Sequence, residues 1–136
     1  MAELNLEIVT PSKFAFSGVI KSITVPGTKG RFQVLVNHAP IISTFDIGMI
    51  EVDLLDGKEY HYATAGGTIE VLDNKVLVLA DSIEQVSEID EERALKAKQR
   101  AEERLLEKKS DLNIVSAQAA LTRATNRISV KEKYNQ

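Results

Sequence analysis

The chain has 136 residues, of which 43% are apolar and 27% charged, with no cysteine and a formal net charge of -3. These values fit one folded domain, or one small domain plus an appendage, and exclude a wholly disordered chain. They also exclude a disulfide framework, a thiol nucleophile and a thiolate metal site, and the mild acidity argues against a general nucleic-acid binder. No apolar run approaches the roughly 18–20 residues of a membrane span. The opening MAELNLEIVT has neither the basic nor the apolar region of a secretory leader.

Leu4, Leu6 and Ile8 alternate with Glu3, Asn5 and Glu7, the period of a half-buried strand. Pro11-Ser12 breaks this run, and Val19, Ile23 and Val25 mark a second strand that Pro26-Gly27 ends. Phe32–Val36 is a short apolar strand, followed by a turn at Asn37-His38-Ala39-Pro40. Ile50, Val52 and Leu54 alternate with Glu51 and Asp53, and Asp56-Gly57 predicts a tight hairpin with both central residues at positive φ. Tyr60 and Tyr62 continue the return strand until Gly66-Gly67 interrupts it. Ile69, Val71, Asp73-Asn74 and Val76–Leu79 predict another hairpin. Many short strands at this spacing imply an antiparallel sandwich or barrel.

The remainder differs in kind. All seven glycines and all three prolines precede residue 68. Residues 1–84 carry 6 basic and 11 acidic side chains, whereas residues 85–136 carry 11 basic and 9 acidic. Absent turn formers and abundant helix formers predict long helices, so a boundary falls near Asp81–Ser87, giving domains 1–84 and 85–136. Ser87 and Asp90 are candidate N-caps, with Glu91 and Glu92 favourable in the first turn. Ala94, Ala97, Ala101 and Leu105 recur at helical spacing over about Asp90–Lys109, where Lys108-Lys109 suit the C-terminal dipole. Ser110-Asp111-Leu112-Asn113 is a short connection with a new cap. Ile114, Ala117, Leu121, Ala124 and Ile128 then form a second one-sided seam. The two helices must fold back antiparallel. Alanine seams bury little area, so the hairpin is marginal by itself and able to open, a stably docked hairpin being the simpler alternative.

Few residues invite catalysis. His61 sits among Tyr60 and Tyr62 in a strand, and His38 sits in a turn without a nucleophile motif beside it. The acids show no metal-site spacing and Gly66-Gly67 lacks a P-loop lysine, so neither a catalytic nor a metal site is expected. The helical arginines are more informative. Arg93 and Arg100 are seven apart, Arg123 and Arg127 four apart, and an antiparallel fold brings them toward one place. Guanidinium forks suit phosphate, with Asp90 and Glu84 near the same end. A solvated face with pairs such as Glu92 and Lys96 explains the same spacing, and both readings stay open.

Gly30-Arg31-Phe32-Gln33-Val34-Leu35-Val36-Asn37-His38-Ala39-Pro40, Ile47-Gly48, Gly66-Gly67 with Ile69-Glu70-Val71, and Ile89-Asp90-Glu91-Glu92-Arg93-Ala94 together resemble the epsilon subunits of bacterial F-type ATP synthases. The resemblance covers essentially the whole chain. It implies a β-sandwich of about ten strands before the helical hairpin, and a non-catalytic place in the central rotor stalk, which couples proton flow to ATP synthesis. The implied partners are the gamma subunit and the ring of c subunits, with contacts around Arg31 and His38. The implied location is peripheral, on the cytoplasmic face of the bacterial plasma membrane.

The resemblance also implies regulation. A folded hairpin would bind ATP through Ile89, Asp90, Arg93 and Ala94 of the I-D-x-x-R-A motif, with Glu84, Arg100, Arg123 and Arg127; magnesium is left open. An extended hairpin would block hydrolysis, with Arg123, Arg127, Lys131 and Lys133 set against an acidic segment of beta, within the alpha and beta subunits. A purely structural stalk subunit without nucleotide binding is the alternative. Two departures stand out: Gln33 where the family often has glycine, and Arg31 where some members carry an acid.

Overall fold

The computed structural model describes residues 2–107 and 110–134. It divides into two compact units, residues 1–85 and 86–136. The first unit is a β-sandwich of ten strands: β1 (Leu4–Val9), β2 (Phe14–Ile20), β3 (Ser22–Val25), β4 (Phe32–Val34), β5 (Ile41–Phe45), β6 (Gly48–Asp53), β7 (Glu59–Thr64), β8 (Gly67–Leu72), β9 (Lys75–Ala80) and β10 (Ile83–Gln85). One sheet runs β2-β1-β9-β8-β5 and the other β10-β7-β6-β3-β4. The inner faces meet in a core of Leu4, Leu6, Ile8, Ile23, Val25, Ile50, Val52, Ile69 and Val78, each at most 1% exposed. These are the alternate positions that period two assigns to one face, so burial fixes the register of each strand.

Three local features depart from the sequence expectation. Val19 and Val25 belong to different strands, because the chain passes from one sheet to the other at exposed Lys21, whose N–H donates to Asp53 O at 2.8 Å. The pairing of β1 with β9 is parallel, since these strands are distant in sequence and no hairpin dictates their direction. The β6–β7 loop holds three residues, not two. Leu54 pairs with Lys58, only Gly57 takes positive φ (90°), and Asp56 Oδ1 accepts the Lys58 N–H at 2.9 Å. This is the loop class in which a type I turn precedes a left-handed residue. The β8–β9 hairpin has the expected two-residue turn, with Asp73 at φ 50° and Asn74 at φ 60°.

The expected Phe32–Val36 strand ends at Val34, and Asn37 turns the chain at φ 67°. Its N–H donates to Asn74 Oδ1 at 2.6 Å, while Asn74 Nδ2 donates to Asn37 Oδ1 at 3.2 Å. Gln33 sits in regular strand geometry opposite Thr24, so the side chain in place of glycine is accommodated without strain.

The second unit begins with a 3-10 helical turn (Val86–Glu88), followed by α1 (Glu91–Glu107) and α2 (Asp111–Tyr134). Asp90 caps α1, its Oδ1 accepting the Arg93 N–H at 3.0 Å, and Ser110 Oγ caps α2 by accepting the Asn113 N–H at 3.1 Å. Lys108 and Lys109, expected at the α1 C-terminus, lie outside the described residues. The seam is Ala94 and Ala101 against Ala117 and Ala124, all at most 2% exposed. Ile114, Leu121 and Ile128 are only half-buried, and Val130, absent from the expected seam, is buried. A Ser110→Ala variant is expected to lose about 1 kcal/mol of hairpin stability. Faster amide exchange in the first turn of α2 checks it.

Candidate functional site

Where the hairpin arginines stand follows from the seam. Arg93, Arg100 and Arg123 each immediately precede a buried alanine: Ala94, Ala101 and Ala124. One residue is about 100° of helix rotation. In an antiparallel pair, the position before a seam residue on either helix falls on the same side of the interface. Arg127 comes three positions after Ala124 and falls on that side too, closer to the seam. Arg104, which spacing did not single out, precedes half-buried Leu105 on this side as well. Its Nη2 donates to Ser116 Oγ at 3.1 Å, and Ser116 immediately precedes buried Ala117. That cross-helix bond fixes both the side and the register.

With Arg104 beside Ser116, Arg93 stands near the level of Arg127, and Arg100 about one turn from the level of Arg123. Arg93, Arg100 and Arg123 are exposed and Arg127 half-buried. Among the described residues, none of Arg93, Arg100 and Arg123 makes an ion pair, whereas Lys96 and Glu92 pair at 3.5 Å elsewhere on α1. The result is one strongly cationic flank with forked donors, a surface that suits a polyanion.

The I-D-x-x-R-A segment resolves into separate jobs. Ile89 is buried (4% exposed) and its N–H donates to Val86 O at 3.2 Å. Asp90 caps the helix with side-chain Oδ1 while its backbone O accepts the Ala94 N–H at 3.0 Å. Ala94 is seam. Helix initiation and packing therefore explain three of the motif residues, and Arg93 is the one whose side chain serves neither. Asp90 is exposed as well, and its spacing of four residues before Ala94 puts it on the arginine side.

Other candidate residues stand elsewhere. Glu84 is on β10, opposite Ala63, and belongs to the sandwich unit. Arg31 Nη1 donates to Met49 O at 2.6 Å, so its guanidinium is tied to β6. His38 Nδ1 lies 2.7 Å from Ala39 O in its turn. Lys131 Nζ donates to Val86 O at 3.0 Å, fastening the end of α2 to the 3-10 turn. Lys133 Nζ stands 5.3 Å from the Tyr134 ring centroid.

Residues 3–86 match the family model for the β-sandwich domain of the ATP synthase delta/epsilon chain, and residues 87–132 match that for its long α-helix domain. The chain belongs to the ATP synthase delta/epsilon family. It is 45% identical over 128 residues to an ATP synthase epsilon chain of Nitratidesulfovibrio vulgaris, covering 94% of this chain and 95% of that one. It is 42% identical to the epsilon chain of Desulforamulus reducens, covering 94% and 96%. A chain in the structure of Euglena gracilis mitochondrial ATP synthase (OSCP, F1 and c-ring) shares the fold, with a TM-score of 0.81 over 93% of this chain and 79% of that one, at 23% identity. An epsilon chain is a non-catalytic subunit. No helix among the described residues is long and apolar enough to cross a membrane.

Proposed function

We propose that the chain is an epsilon subunit of the central stalk whose closed hairpin binds ATP as a regulatory ligand. The observation that carries this reading is the placement of Arg93, Arg100, Arg123 and Arg127, with Asp90, on one side of the closed helix pair. The triphosphate would lie among the arginine forks. Asp90 would accept a hydrogen bond from an amino or hydroxyl group of the nucleoside. Separating the helices would scatter the arginines, so ATP stabilises the closed form by RT ln(1 + [L]/Kd), about 2.7 kcal/mol at a hundredfold excess over Kd.

The sandwich would dock the gamma subunit and the ring of c subunits, on the cytoplasmic face of a bacterial plasma membrane. Arg31 would act there as a backbone-tied residue that shapes its loop. Opening the hairpin would free Lys131 from Val86, and Arg123, Arg127, Lys131 and Lys133 would then pair with an acidic segment of beta between the alpha and beta subunits, blocking hydrolysis. One set of cations serving two mutually exclusive anions links the two equilibria.

Calorimetric titration of the full chain with ATP, with and without magnesium, tests the reading. The expected result is one ATP bound by the wild type and at least a tenfold loss of affinity in an Arg123→Ala, Arg127→Ala double variant. No heat at millimolar ATP, or equal binding by the double variant, leaves the purely structural stalk subunit in its place.

A further inference from the structure

The outer face of the β6–β7 hairpin gathers side chains that their spacing in the sequence does not connect. Register sets Glu51 directly opposite His61 and Asp53 directly opposite Glu59, while Ile50, Val52 and Tyr62 point into the core. Three carboxylates and one imidazole thus share one small face. His61 Nε2 lies 3.0 Å from Glu51 Oε1 and 3.8 Å from Glu59 Oε2. One donor atom from each of the three residues falls within 4.8 Å of the others.

An ordinary His–carboxylate pair does not account for this convergence. A single Nε2–H serves one acceptor well, and here two carboxylates approach the same nitrogen. Asp53 opposite Glu59 adds a like-charge cross-strand pair, an unfavourable placement. Its Oδ2 accepts the Ser22 hydroxyl at 3.0 Å, but its Oδ1 is buried without a hydrogen-bond partner. A buried carboxylate oxygen left in that condition is costly unless positive charge stands nearby. The adjacent strand β3 contributes only Ser22 and Thr24 opposite Asp53 and Glu51, and neither is charged.

We infer that His61, Glu51 and Glu59 form a binding site for a zinc-class divalent cation, held across β6 and β7. Ligands at about 2.1 Å in a tetrahedral arrangement stand about 3.4 Å from one another. The distances of 3.0 and 3.8 Å straddle that value, so small side-chain rotations suffice. One imidazole and two carboxylates make a donor set for zinc, cobalt or nickel, in contrast to the all-oxygen cages of calcium. Water completes the coordination. The side chain of Glu59 is 58% exposed and gives the ion its way in, whereas that of His61 is 11% exposed and anchors it. Bridging Glu51 on β6 to Glu59 and His61 on β7, the ion ties the two strands together; no chemistry is assigned to it.

The test is calorimetric titration of the untagged, metal-stripped full chain with zinc chloride, and with cobalt chloride followed by visible absorption. The expected result is one equivalent bound, cobalt bands of low coordination number, and at least a tenfold loss of affinity in both His61→Asn and Glu59→Gln. Because Glu59 is largely exposed, its variant keeps the fold, and the melting curve of the metal-free protein verifies this. Absence of one-to-one binding, or unchanged affinity in the Glu59→Gln variant, overturns the assignment and leaves His61 hydrogen-bonded to Glu51.

Discussion

A Gly67→Ala variant is expected to lose about 3 kcal/mol of sandwich stability, a fall of roughly 10–20 °C in its thermal midpoint. Gly67 opens β8, with Ala80 opposite it on one side and Phe45 on the other. An added Cβ would collide with the Leu79 carbonyl oxygen and stand 2.9 Å from both Ala80 Cα and the Phe45 ring. Two of these three obstacles are backbone, so no side-chain rotation relieves them. β8 is an interior strand between β9 and β5, and moving either neighbour breaks a ladder. Gly57 supplies the contrast. Its added Cβ meets nothing within 4 Å, so Gly57→Ala bears only the left-handed backbone penalty of about 1–2 kcal/mol. Thermal unfolding followed by circular dichroism compares the two variants. A Gly67→Ala loss no larger than that of Gly57→Ala would show that β8 is far more compliant than its paired neighbours imply.

The two glycines also show where sequence reading reaches and where it stops. The double glycine marks a break, and the break is there. That Gly67 is required by the Leu79 carbonyl is a fact about a strand twelve residues away, which composition does not contain. Hydrophobic alternation places Leu4, Leu6, Ile50, Val52 and Ile69 inside because period two needs only neighbouring residues. It does not show that the chain changes sheets at Lys21, since alternation looks alike on both sides of the crossing.

The hairpin at Gly57 is the most consequential case. A two-residue turn at Asp56-Gly57 would pair the strands one step differently, and the three-residue loop sets Glu51 opposite His61. The carboxylate–imidazole cluster therefore depends on a single residue of loop length. In the helices the signal is stronger, because seam and flank follow from one rotation per residue. The arginine flank is legible once the alanine seam is known. Arg104 is missed because its significance lies in a partner, Ser116, on the other helix.

Replacing Ala117 with leucine is expected to open the hairpin while leaving the sandwich intact. Ala117 is 0% exposed, and the register set by Arg104 and Ser116 places it within about 3 Å along the axis of Ala101, itself 2% exposed. Alanine on both helices lets the axes approach to the short end of the usual 8–10 Å range. A leucine there has no space and forces the helices apart at about 2 kcal/mol, which shifts the closed-to-open ratio roughly 30-fold. The seam is made mostly of alanine and has little buried area to resist this. Limited trypsin digestion reads the opening directly, because both helices are rich in lysine and arginine. Val115→Leu adds bulk at a position 66% exposed and should leave the digestion rate unchanged. The same variant separates geometry from charge in nucleotide binding. Every arginine remains in Ala117→Leu, yet apparent ATP affinity should fall in proportion to the lost closed fraction. Faster digestion with undiminished ATP affinity would mean that the arginines bind nucleotide on one helix at a time, and that the closed pair is not the ligand-bound form.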